Sequence, residues 1–128
     1  MVIRITQNVL RVCALVALIL GILFWTNVVA VTNATQGIHM LFGILVALSL
    51  IVLGIVFGTT RGGNWGLAAV AIVLAIVMTG FGMSQTSMMP ENHWVIQVIH
   101  LLLGLCAIGV GEMIGARARR LRASSKLA

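Results

Sequence analysis

Gln36-Gly-Ile-His39-Met-Leu-Phe-Gly43 returns as Gln97-Val-Ile-His100-Leu-Leu-Leu-Gly104, with five of eight positions identical and a constant offset of 61 residues. Each copy opens an apolar run long enough to cross a bilayer. An ionisable side chain inside such a run is costly and marks a functional site by default. Neutral imidazole is also the commonest metal ligand. Two of them at matching depth on two helices can occupy opposite ligand positions of one metal. No third or fourth side chain has convincing ligand spacing, which disfavours a bare ion. A planar metal complex carrying its own equatorial ligands fits better, and the expectation is haem b with His39 and His100 as axial ligands.

The neighbours of the two histidines suit that chemistry. Gly43 and Gly104 follow their histidines by four residues, on the same helical face and one turn deeper. Without a Cβ they would let a flat ring lie close to both backbones. Gln36 and Gln97 precede by three residues, one turn nearer the surface. Their amides could donate to haem propionates or orient an imidazole. The expected cofactor-binding set is therefore His39, His100, Gly43, Gly104, Gln36 and Gln97, with the two histidines on the iron.

Positioning these residues requires membrane-spanning helices. The 128-residue chain is 61% apolar and 8% charged, a composition of integral membrane proteins. Too few residues lie outside the apolar runs for a soluble domain. Spans are expected at about 9–31, 36–58, 65–84 and 93–115, followed by a basic tail over 116–128. Gly62 and Gly63 should turn the chain between the second and third spans, and Pro90 with Asn92 should introduce the fourth. Short connectors predict an all-α, up-and-down four-helix bundle forming a single domain.

The eight Lys and Arg residues, Arg4, Arg11, Arg61, Arg117, Arg119, Arg120, Arg122 and Lys126, should all fall on one side. Glu91 marks the other. The positive-inside rule then places both termini in the cytoplasm, across a bacterial inner (plasma) membrane, with the haem near the outer face. Trp25 and Trp94 are expected at the outer boundary and Trp65 at the inner one. The first and third spans align weakly at the same offset (Val12/Val73, Ala14/Ala75, Val16/Val77, Gly21/Gly82). Together with the histidine motif this predicts a two-plus-two internal repeat whose halves are parallel copies.

Four spans, with Gln-x-x-His opening the second and fourth, resemble one four-helix half of haem A synthase. The likeness extends over nearly the whole chain on a short motif. It implies a bis-histidine haem site at His39 and His100. Met40 and Leu101 stand where an arginine often follows the histidine in that family. The resemblance therefore implies a half-size b-type cytochrome, an electron carrier or redox subunit more than a stand-alone enzyme oxidising a haem methyl. A quinone, a redox protein, or other subunits in a homo- or hetero-oligomer would be its partners, besides membrane lipid.

Two other readings compete. In one, the chain is a non-catalytic accessory or assembly subunit whose histidines and glycines only pack helices. In the other, Met88, Met89 and His93 hold copper through soft thioethers. Glu112 is expected to pair with Arg11 or a tail arginine, and Gly54/Gly58 and Gly111/Gly115 read as close-packing faces. Cys13 and Cys106 lie in apolar runs and define no disulfide. The basic tail suits anionic lipid headgroups, and no element for reading nucleic acid accompanies it. Reporter fusions test the topology: alkaline phosphatase should be active when joined after Ala30 and inactive after Arg61 or Ser125. The reverse pattern would invert the assignment.

Overall fold

The computed structural model describes residues 1–85, 88, 91 and 93–125. They form four helices, α1 (Val2–Trp25), α2 (Asn33–Thr59), α3 (Trp65–Ser84) and α4 (His93–Ser124), with no strand among the described residues. All four are long and apolar enough to cross a membrane. Even α3, the shortest at 20 residues, reaches about 30 Å, the thickness of a hydrocarbon core.

The second and third helices lie close to the expected spans, while the ends of α1 and α4 do not. The apolar run of α1 continues to Val31, yet the helix stops at Trp25. Asn27 adopts φ 57°, its N–H donates to the Phe24 carbonyl at 3.1 Å, and the Val28 N–H donates to the Leu23 carbonyl at 3.0 Å. This is a Schellman ending with asparagine in the left-handed position that glycine usually takes. One polar residue thus overrides four apolar ones. Thr32 then starts α2 through a capping box: its Oγ1 accepts from the Thr35 N–H at 3.2 Å while Thr35 Oγ1 accepts from the Thr32 N–H at 2.8 Å.

At the other end of the chain, α4 runs on through the basic tail as far as Ser124. Tertiary packing holds it in that form. Ala118 is buried, Leu121 packs on the core, and Arg119 Nη1 donates to Gln7 Oε1 at 3.1 Å. Gly62, at φ +78°, supplies the left-handed residue of the α2–α3 turn, and a Cβ there would meet Leu121 at 3.2 Å. Asn64 caps α3, its side chain accepting from the Leu67 N–H at 2.8 Å. Pro90, Asn92 and Lys126 lie outside the described residues.

Neighbouring helices run antiparallel. Gln7 of α1 reaches Glu112 of α4, Gly54 of α2 lies against Ala68 and Ala71 of α3, and Gly82 of α3 against His100 of α4. α2 packs most extensively, on α1 and α3, and also meets α4 across the bundle, whereas α1 and α3 touch least.

Packing tightens toward one end, the end that carries the arginines. Buried positions in α1 stop at Ala14, and those of α2 begin at Val46. In α3 they run from Ala68 to Met78, and in α4, apart from Ile96, from Ala107 to Ala118. Glycine and alanine make this closeness possible. A Cβ on Gly54 would sit 3.0 Å from the Ala68 carbonyl oxygen, one on Gly111 would sit 3.0 Å from Leu10, and one on Gly115 would overlap the Gln7 amide. Both GxxxG pairs therefore face the bundle interior.

Charge adds a clasp between α1 and α4. Arg11 binds both oxygens of Glu112, at 2.5 and 2.7 Å. Gln7, 2% exposed, donates to the same carboxylate at 2.8 Å and so has both ends of its amide satisfied. Lengthening Gly54 to valine should destabilise the bundle by about 1–3 kcal/mol through overpacking. Gly109→Ala, where nothing lies within 4 Å of the new Cβ, should leave stability unchanged or slightly raised. Unfolding in detergent, followed by helical ellipticity, measures both.

Candidate functional site

Beyond Val46 on α2 and before Ala107 on α4 the helices separate and enclose a cleft of about 290 Å³. All six residues of the repeated motif line it: Gln36, His39 and Gly43 from α2, and Gln97, His100 and Gly104 from α4. The i−3, i and i+4 spacing sets each trio on one helical stripe. The diagonal placement of α2 and α4 then turns the two stripes toward each other.

The imidazoles meet inside the cleft. Their ring centroids are 6.3 Å apart with planes inclined by 54°. Nδ1 of His39 and Nδ1 of His100 are buried and have no hydrogen-bond partner among the described residues. Buried polar nitrogens without partners are uncommon in folded proteins. In an apolar bundle such an atom stays desolvated and uncompensated unless a ligand or a water reaches it.

Gly43 and Gly104 behave differently from the packing glycines. A Cβ at either position meets nothing within 4 Å. Their missing side chains leave open space between the two histidine helices, at the wall of the cleft. No helix contact needs glycine there.

The tertiary structure adds residues that the motif did not single out. Phe24 meets the His39 ring edge-on at 5.7 Å, and Phe81 stacks on His100 at 6.4 Å with only 12° between the planes. Gly21 lies under His39 and Gly82 under His100, where an added Cβ would be 3.5 and 2.8 Å from the respective Cε1 atoms. The one legible signal for these seats was the offset: Gly82 follows Gly21 by 61 residues. That pairing extends through the cleft. Among the described residues, 20 of its 26 lining positions form ten pairs separated by 61.

The methionine-rich segment presents less. Met83 is exposed, Met88 Sδ lies 3.8 Å from Ser84 Oγ, and Met89 is outside the described residues. His93 lines the same cleft as the motif histidines. Among the described residues no three His, Cys, Asp or Glu side chains converge as a metal site. Comparison with family models, curated proteins and solved structures finds no match to this chain.

The two glycine seats differ in tightness, which is testable. Gly82→Ala should displace the His100 ring and shift its imidazole resonances, because a Cβ at 2.8 Å cannot be accommodated in place. Gly21→Ala, at ordinary contact distance, should leave those of His39 almost unmoved. Histidine-selective NMR spectra of the solubilised protein report both.

Proposed function

We propose that this chain is a membrane b-type cytochrome that holds one haem b between α2 and α4, with His39 and His100 as axial ligands, and carries electrons. The observation that carries the reading is the pair of facing imidazoles, each with an unpartnered buried Nδ1, in a cleft walled by two glycines that nothing fills.

The residues present fit the group. The two imidazoles, with centroids 6.3 Å apart, could each offer a nitrogen to one metal held between α2 and α4. A porphyrin brings four nitrogen ligands of its own, so two protein ligands suffice and no larger cluster is required. Gly43 and Gly104 would admit the flat ring, and Gln36 and Gln97 would meet its polar edge. When bound, haem supplies a one-electron iron couple. The protein's part is to hold both imidazoles in place, to keep water from the ring, and to fill both axial positions. That last feature favours electron transfer over oxygen activation. A helix-packing role alone leaves the two Nδ1 atoms and the open space at Gly43 and Gly104 unaccounted for.

The paired lining supports a two-plus-two repeat, with α1–α2 and α3–α4 as copies. Burial agrees: Ala14/Ala75, Val46/Ala107, Leu53/Ile114 and Gly54/Gly115 are each separated by 61 and buried in both members. The charge distribution supports cytoplasmic termini in a bacterial plasma membrane, with the cleft toward the outer face. There a quinol or a redox subunit is the expected electron partner.

A pyridine haemochrome assay on the purified chain should give close to one haem b per chain. His39→Ala and His100→Ala should each lose the six-coordinate spectrum. The double variant Gly43→Leu/Gly104→Leu should fold yet retain no haem. A wild-type chain purified from haem-sufficient cells without haem would sink the reading.

A further inference from the structure

Polar and apolar residues are divided unequally around the cleft, although most of its lining is paired. At the positions that pair across the offset, Leu18 and Phe24 on the α1 side are answered by Thr79 and Gln85 on the α3 side. His93, the first residue of α4, also lines the cleft, and the residue 61 before it is Thr32, which does not line it and is engaged in the capping box of α2. Toward α1 the mouth is therefore apolar, with Phe24 and Trp25, and toward α3 and α4 it carries Gln85, His93 and Gln97; Gln36 of α2 answers Gln97, so the inequality rests on Gln85 and His93.

The polar lip has unspent donors. The side chains of His93 and Gln97 make no hydrogen bond among the described residues, and Gln85 uses one amide hydrogen, on the Gly82 carbonyl at 3.3 Å. Positive charge is scarce here. Every described arginine lies toward the opposite end, in α1 before Cys13, in the α2–α3 turn, or in α4 beyond Gly115. Of the cleft's side chains, apart from the two facing imidazoles, His93 alone can carry a cation. An acid held at the mouth of an apolar cleft needs such a donor, because a carboxylate there is stabilised chiefly by charge-assisted hydrogen bonds.

The geometry points to His93, with Gln97 and Gln85, as a carboxylate-binding lip that fixes which edge of a flat, acidic ligand faces α3 rather than α1. This rests on the haem reading, where the acids are the two propionates. His93 acts here as a binding residue, distinct from the iron ligands, and it breaks the symmetry that the paired lining would otherwise impose on an asymmetric ring.

The test is the affinity of the full-length apoprotein in detergent for haem b and for its dimethyl ester, which has the same ring without the acids. Wild type should bind the diacid about tenfold or more tighter than the ester. His93→Ala and His93→Gln should lose that preference while keeping the ester affinity, and His93→Lys should restore it. Binding of neither ligand by wild type would refute the haem reading and this inference together. Equal affinity of wild type for both, or a preference unchanged in the variants, would overturn the lip alone. Loss of ester binding in both His93→Ala and His93→Gln would also overturn it, since His93 would then be holding the bundle.

Discussion

Close helix approach at one end of the bundle is the constraint on which everything else depends. Gly54, Gly111 and Gly115 let backbones come within reach of alanine, leucine and glutamine side chains, and the Arg11–Glu112–Gln7–Arg119 clasp ties α1 to α4 at the same end. In lipid there is little hydrophobic force between helices, so contact of this kind is the main source of association. Where it ends, at Ala14, Val46, Met78 and Ala107, the helices part and the cleft begins.

That opening contains what an apolar bundle least favours. Two half-buried imidazoles sit with unpartnered nitrogens, and two glycines add no side chain to fill the space between their helices. Each feature alone is a modest cost. Their coincidence in one cleft, with aromatic rings and glycine seats against the imidazoles, is what the proposed ligand site rests on. The glycines thus have two opposite uses in one chain: Gly54 and Gly115 remove side chains so that helices can touch, while Gly43 and Gly104 remove them where nothing touches.

The cleft is nearly symmetric in its lining and asymmetric in its chemistry. His100 is clasped between a stacked Phe81 and the tight seat at Gly82, whereas His39 meets Phe24 edge-on and has more room at Gly21. The mouth divides in the same way, apolar toward α1 and polar toward α3 and α4. A strictly symmetric pocket could not distinguish the two faces or edges of an unsymmetrical ligand, and these differences supply the distinction.

Much of this was determined by the sequence alone. Four apolar runs, the equal spacing of Gln, His and Gly at an offset of 61, and the one-sided arginines identify the helices, the facing residues and the end at which the charges gather. Such features are legible because helical periodicity and bilayer thickness translate directly into residue counts. The structure decided what depends on contacts between distant parts. Asn27 ended α1 inside an apolar run through two backbone hydrogen bonds, which hydropathy does not register. The basic tail became helix because Ala118, Leu121 and Arg119 found partners on other segments. That His93 joins the cleft also came only from the fold. Identical residue types at identical spacings take opposite roles according to what the opposing helix places across from them.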